Sequence, residues 1–154
     1  MAVLKVNKPA ELKAYVGKEI GTTDWIPVPQ KQINLFADAT DDHQWIHVDV
    51  ERAKKESPFK GPIAHGYWTL SQMPNILGKV VEVTGAKLAV NYGLNKVRFP
   101  NPVHVGKRIR GKVVLSELKE LGEGNVEAQF TVTVEVEGAP KPACIAETLS
   151  RYYV

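Results

Sequence analysis

The sequence predicts an α+β fold in which an antiparallel β-sheet wraps around a central α-helix. Three observations favour this class: helix signals fill the first half of the chain, strand-like alternation fills the second half, and one apolar helix near residues 66–79 is available to cover the sheet. A chain of 154 residues has the length of about one domain. We therefore expect residues 1–154 to form a single unit with one core.

Two helices are predicted before residue 42. The segment PAELKAYVG opens with a proline and closes with a glycine, which are helix start and stop signals. The segment VPQKQINLFADAT carries apolar side chains at helical spacing, and these share one face: Ile33, Phe36 and Ala37. This second helix is expected to end near Asp41, where a polar segment begins.

Two further helices are predicted after that polar segment. The segment VDVERAKKES is a short candidate, and Asp49 is placed to cap its N-terminus. A longer helix begins near Gly66 and continues toward residue 79. Proline has no N–H to donate inside a helix, so Pro74 is expected to kink or divide it. This longer helix is the predicted central helix.

The clearest strand runs from Val126 to Glu137, where apolar and polar residues alternate strictly. Such alternation is typical of a strand with one face on the core and one face in water. The turn-forming segments GEGN and EGAPKP flank it, which predicts an antiparallel meander over residues 107–119, 125–137 and 142–154. Further strands are expected in EIGTTDWIPV, LAVNYG and LNKVRF. The open edges of this sheet favour pairing in a homodimer.

Composition argues against several classes of protein. No segment approaches the roughly 18 consecutive apolar residues of a membrane span, and the first residues lack the pattern of a secretory signal, which favours the cytoplasm. The net charge of +3 comes from scattered Lys and Arg, so nucleic acid binding has little support. Cys144 is the only cysteine, which leaves no intrachain disulfide or CxxC site, and we interpret it as a small core residue.

Titratable side chains are concentrated around Trp45 in the segment ATDDHQWIHVD. Asp42 and His47 are five residues apart, which on a continuous α-helix would separate them by about 140°. They converge only in an irregular loop, where a carboxylate and an imidazole can act as acid and base on one water. Two alternatives stay open. Asp42 caps a turn and His47 is a satisfied loop residue, or both join His43 and Asp49 in a metal site that has no recurrent zinc spacing.

Gly66, in the segment PIAHGYWTLS, is a second candidate for chemistry. A glycine at a helix start allows close approach of a ligand, and its free N–H suits a developing oxyanion. The alternative is an ordinary helix entry with His65 packed beneath it. Tyr67 and Trp68 can likewise line an apolar tunnel or belong to the core.

The segment TDDHQWIHVD resembles the hydratase 2 signature of the MaoC-like dehydratases, also called (R)-specific enoyl-CoA hydratases, which have hot dog folds. That signature runs Asp, any residue, Asn, Pro, an aliphatic residue, His, and its first and last positions correspond to Asp42 and His47. Gln44 and Trp45 replace the Asn and Pro, as in a subgroup similar to nodulation protein N. The segments GPIAHGYWTLSQMP and FPNPVHVGKRIRG also resemble family motifs, so the resemblance spans roughly residues 15–115.

This resemblance implies reversible hydration of trans-2-enoyl-CoA to (R)-3-hydroxyacyl-CoA. Asp42 and His47 would hold the water, the Gly66 N–H would meet the enolate oxygen, and Tyr67 would contact the substrate. The chemistry requires no metal, flavin or nicotinamide cofactor, because coenzyme A or an acyl carrier protein only presents the thioester. A homodimer is expected. Two other functions stay open, an acyl-CoA thioesterase of hot dog fold and a non-catalytic acyl-thioester binding module.

Overall fold

The structure is a computed structural model and describes residues 3–154. Eight strands form two sheets in this part of the chain, and they are β1 (Leu4–Val6), β2 (Glu19–Thr22), β3 (Ile26–Pro27), β4 (Val81–Val83), β5 (Leu88–Arg98), β6 (Arg108–Gly122), β7 (Asn125–Val136) and β8 (Cys144–Tyr153). A 3₁₀ helix over Pro9–Tyr15 precedes five α-helices, which are α1 (Gln30–Thr40), α2 (Trp45–Val48), α3 (Val50–Glu56), α4 (Gly66–Ser71) and α5 (Met73–Val80).

The larger sheet has the strand order β2-β6-β7-β8-β5, and β3 also pairs with β6. Every pair in it is antiparallel, and β6, β7 and β8 form the predicted meander. The segments LAVNYG and LNKVRF form one continuous strand, β5, whose register with β8 shifts at two irregularities. β1 and β4 form a small parallel sheet that sequence analysis did not predict.

β7 has one face on the core and one face outward along its whole length. Its inward side chains are buried: Val126, Ala128, Phe130, Val132, Val134 and Val136. The outer face of the sheet carries ion pairs between neighbouring strands: Arg108–Glu137, Arg110–Glu135 and Arg151–Glu127. The predicted strand with one wet face is confirmed.

The 3₁₀ helix, α1 and α3 follow most of the predicted boundaries. The segment PAELKAYVG forms a helix, but it is a 3₁₀ helix rather than an α-helix. α1 ends at Thr40, because Asp41 takes the left-handed conformation with φ of 58°. Asp49 caps α3 as predicted, since its carboxylate accepts a hydrogen bond of 3.0 Å from the Arg52 N–H.

α4 and α5 form the central helix, which is divided at Gln72, just before Pro74, as predicted. α5 turns its apolar side onto the sheet, with Ile76 and Val80 fully buried. At the contact with β6, a Cβ on Gly111 would overlap the Ile76 side chain. The absence of a side chain at Gly111 therefore sets how closely the helix approaches the sheet. In the described part of the chain, no helix has the length and apolar character needed to cross a membrane.

We expect Gly111→Ala to lower the free energy of unfolding by about 1–3 kcal/mol, because the added methyl group overpacks the contact with Ile76. Gly21→Ala is the matched control. It also lies in a strand beneath α5, but its Cβ would stand 3.5 Å from Val80, an ordinary contact. That substitution should be neutral or stabilising by about 0.5–1 kcal/mol. Urea denaturation measures both, and equal losses would contradict the close contact at Gly111.

Candidate active site

The position of Asp42 is set by the end of α1. The left-handed Asp41 turns the chain out of the helix, and the N–H groups of Asp41 and Asp42 both donate to the Ala37 carbonyl. The Asp42 carboxylate is exposed and accepts a long bond of 3.4 Å from the Gln44 N–H. The irregular turn that the sequence analysis required is therefore present, and it is followed by the single helical turn α2.

His47 lies on α2 and is buried, with 7% of its surface exposed. Its Nδ1–H donates to the Ile63 carbonyl at 2.7 Å, because a carbonyl can only accept. Gln30 fixes the same turn by donating from Nε2 to the His47 carbonyl at 2.7 Å. With Nδ1 occupied, Nε2 is the nitrogen that keeps a free lone pair.

Burial is the main cause that lowers the pKa of His47 below its ordinary value. Two contacts oppose burial: the bond to Ile63 and the nearby charge of Asp42 each raise this pKa. The neighbouring His65 lowers it further. Because the net direction is downward, the His47 ring is neutral at neutral pH and can accept a proton at Nε2.

His65 joins the site, although sequence analysis assigned it only to packing beneath the helix entry. Its ring stacks on the His47 ring, with centroids 3.9 Å apart and planes 25° apart. Its Nε2–H donates to the Asp42 carbonyl at 3.0 Å. A ligand atom of each of Asp42, His47 and His65 lies within 4.8 Å of those of the other two. The only sequence signal for His65 was its position directly before Gly66. The spacing of residues did not show that its side chain contacts the loop of Asp42 and His47, about 20 residues earlier in the chain.

A cavity of about 250 Å³ opens beside His47, whereas Asp42 and His65 do not belong to its lining. His47 and Gly66 both line it, together with Phe99 and other residues. Gly66 is exposed and is the first residue of α4, so its N–H has no acceptor within the helix. A Cβ at Gly66 would make an ordinary contact of 3.5 Å with the Phe99 ring. Packing inside the chain therefore does not require a glycine there.

The remaining candidate residues lie apart from this cluster. Tyr67 is 71% exposed and packs edge-on against Phe99, with ring centroids 6.4 Å apart. His43 is exposed and bonds to Asp38 at 2.8 Å, and this bond is the main cause that raises its pKa. Cys144 is fully buried in the core, as predicted, and burial raises the pKa of its thiol to about 11.

The donor types at the site are those that bind divalent transition metals. Only Asp42 and His47 of the four sequence candidates belong to the close group, and His65 is its third member. Each imidazole already has one nitrogen bonded to a backbone carbonyl, and the two rings are stacked face to face. The expectation of a site that needs no metal stays a prediction.

The geometry suits acid–base chemistry on one water molecule. Two groups that each hold the same water at about 2.8 Å can be up to roughly 5.6 Å apart. The carboxylate oxygen of Asp42 and a ring nitrogen of His47 meet that condition, since they lie within 4.8 Å. The free N–H of Gly66 lies along the same cavity as His47. A buried imidazole, a carboxyl group and a backbone N–H without an intrahelical acceptor thus lie near the start of α4.

Known proteins resemble this chain over most of its length. The chain is 53% identical over 143 residues to 3-hydroxyacyl-thioester dehydratase Z of Mycobacterium tuberculosis, which covers 93% of this chain and 94% of that protein. It is 46% identical over 145 residues to nodulation protein N of Rhizobium leguminosarum bv. viciae, with 92% and 88% of the two chains covered. The similarity to this chain extends over nearly the whole length of both relatives.

Solved structures show the same fold. The (R)-hydratase from A. caviae involved in PHA biosynthesis matches with a TM-score of 0.71 and 23% identity, covering 88% of this chain and 94% of that one. The α+β hot dog fold expected from the sequence is thereby confirmed. The family profile described as "MaoC like domain" matches residues 11–137, which is most of the chain. The protein therefore belongs to the MaoC-like dehydratase family.

Proposed function

We propose that the protein is a hydro-lyase that interconverts a trans-2-enoyl thioester and an (R)-3-hydroxyacyl thioester. The observation that carries this proposal is the pairing of Asp42 with a buried His47 whose Nε2 is free. Membership of a dehydratase family and 53% identity to a 3-hydroxyacyl-thioester dehydratase support the same reaction class. The (R) configuration follows from the resemblance to the (R)-specific hydratases.

In the hydration direction, His47 Nε2 takes a proton from the bound water while the water oxygen forms a bond to C3. The electron pair of the C2–C3 double bond moves toward the thioester, which gives an enolate. The proton taken up by His47 then passes to the Asp42 carboxylate, which delivers it to C2 of the enolate, so both groups return to their starting forms. We assign the base role to His47 because burial favours its neutral form.

The enolate places negative charge on the thioester oxygen. The Gly66 N–H is the donor that we assign to this oxygen, since it begins α4 and has no intrahelical acceptor. A preorganised donor at that point lowers the barrier only if it meets the charge as it develops. Tyr67 is assigned to substrate contact at the cavity rim, because its ring packs on Phe99, which lines the cavity.

The carrier of the acyl group is the less defined part of the substrate. We propose coenzyme A as the carrier, with an acyl carrier protein thioester as the alternative, because both present the same thioester to the site. The reaction adds or removes water and transfers no electrons, so the proposal includes no redox cofactor.

We further propose a homodimer that pairs through β5. β5 is the last strand of its sheet, so its outer edge lacks a neighbour among the described residues. This edge strand exposes large apolar side chains: Leu88, Val90, Tyr92 and Leu94. An open edge with apolar side chains favours pairing with a second copy.

We expect Asp42→Asn and His47→Gln each to lower the hydration rate by on the order of 10²-fold, because each removes one proton-transfer group. The assay follows the ultraviolet absorbance of crotonyl-CoA and of a longer trans-2-enoyl-CoA, with circular dichroism as the control for folding. Full activity in folded variants would contradict the assigned roles. Rapid release of free thiol from a saturated acyl-CoA by the wild type would instead identify a thioesterase.

The hydration rate should fall at low pH, because protonation of His47 removes the lone pair that accepts the proton from water. Since burial lowers the pKa of His47, the midpoint of this fall is expected below the ordinary imidazole value of about 6.5. A pH profile of kcat/KM measures it. His43→Gln is the control, because it removes an exposed histidine whose pKa is raised by Asp38. A midpoint above 6.5, or one that moves with His43→Gln, would argue against His47 as the base.

The proposed dimer predicts that light scattering gives twice the chain mass of 17.0 kDa. Leu94→Lys adds a charge to the exposed edge strand and should shift the protein to the monomer. Leu35→Lys is the matched control, because Leu35 is also an exposed leucine, at 57%, but lies on α1. A wild-type mass of 17.0 kDa, or equal effects of the two substitutions, would rule out pairing through β5.

A further inference from the structure

His65 contacts two parts of the candidate site at the same time. Its Nε2–H bonds to the Asp42 carbonyl at 3.0 Å, and its ring stacks on His47 at 3.9 Å. The side chain is buried, with 2% of its surface exposed. It also precedes Gly66, and its own carbonyl accepts the N–H groups of Trp68 and Thr69 that begin α4. One residue thus joins the Asp42 turn, the His47 ring and the start of the central helix.

The bond to Asp42 fixes the peptide groups on both sides of that residue. The Asp42 N–H is held by the Ala37 carbonyl of α1 at 3.2 Å, and the Asp42 carbonyl is held by His65 at 3.0 Å. The carboxylate itself is exposed, and its one side-chain bond, from Gln44, is long. The direction of the carboxylate therefore depends on the backbone, and His65 supplies one of its two anchors.

The stacked ring restricts His47 as well. The bond from Nδ1 to the Ile63 carbonyl fixes one edge of the His47 ring, and the face of His65 lies against its plane. Phe36 packs against His65, with ring centroids 4.9 Å apart. His47 therefore cannot tilt toward His65 without moving both of these rings. Its free Nε2 is held in one direction relative to Asp42.

Stability of the core does not explain a histidine at this position. Nδ1 of His65 is buried without a hydrogen-bond partner, and burying an unpaired polar atom costs free energy. A phenylalanine is larger, but it would also present an aromatic face to His47 and would bury no unpaired nitrogen. The feature that only histidine adds here is the N–H donated to Asp42.

We propose that His65 is a positioning residue that holds the Asp42 turn against the His47 ring, an inference that rests on the hydratase function proposed above. It touches neither the water nor the substrate in this role. It fixes the relative direction of the two proton-transfer groups, and errors of about 1 Å in such positioning can cost on the order of 10²-fold in rate.

The test compares substitutions that keep either the donor or the ring. His65→Gln places an amide N–H near the position of Nε2, whereas His65→Phe keeps the aromatic ring and loses the donor. We expect His65→Phe to lower kcat for crotonyl-CoA by roughly 10- to 100-fold with KM changed by less than about 3-fold. His65→Gln should retain clearly more of the wild-type kcat. A packing role predicts the opposite order, and that result would overturn the inference.

A methionine side chain is about as long as glutamine but has no N–H to donate. His65→Met therefore replaces His65→Phe if the phenylalanine variant does not fold. Thermal unfolding is recorded for each protein. A second comparison adds His65→Phe to the Asp42→Asn variant. If His65 acts through Asp42, the added substitution should lower kcat by less than about 2-fold relative to Asp42→Asn alone. The full single-variant loss there would overturn the inference. A wild type without hydratase activity would instead refute the proposed function, so the two failures are distinguishable.

Discussion

The contact between Ile76 and Gly111 controls the distance between the central helix and the sheet. α4 and α5 are nearly continuous, so the depth at which α5 lies also fixes where α4 begins. The start of α4 carries His65 and the Gly66 N–H, and these groups meet the turn that follows α1. A side chain at position 111 would overlap Ile76, so either that side chain or the helix would have to shift. A shift of the helix would also change the position of His65 and Gly66 relative to the Asp42 turn.

The two side chains proposed to transfer protons lie in different environments. His47 is buried and held by a backbone carbonyl, so its protonation is governed mainly by loss of solvent. Asp42 is exposed just after the end of α1, where its carboxyl group is in contact with solvent. Two groups of different exposure, a few ångströms apart, provide the asymmetry that an acid and a base need. The proposed division of roles rests on this difference in burial between His47 and Asp42.

Features that depend on local sequence were predicted well, and features that depend on distant contacts were not. The alternation in β7, the cap at Asp49 and the break at Pro74 are each encoded by neighbouring residues. The stacking of His65 on His47 depends on the fold bringing separate segments together, so spacing alone could not reveal it. The parallel pair of β1 and β4 was missed for the same reason, because each strand has only three residues and their pairing joins distant parts of the chain. The irregular turn expected at Asp42 is present, because the end of α1 at Thr40 and the left-handed Asp41 are set by neighbouring residues.

The burial of Cys144 gives the protein an internal reporter of strand separation. Cys144 begins β8, which lies between β7 and β5, and its thiol is fully buried. The reactive species of a thiol is the thiolate, and burial raises this pKa to about 11. Alkylation of the folded chain must therefore wait for β8 to open, and no second cysteine contributes a background signal. The rate of labelling at this single atom would measure how often the start of β8 separates from β7 under native conditions.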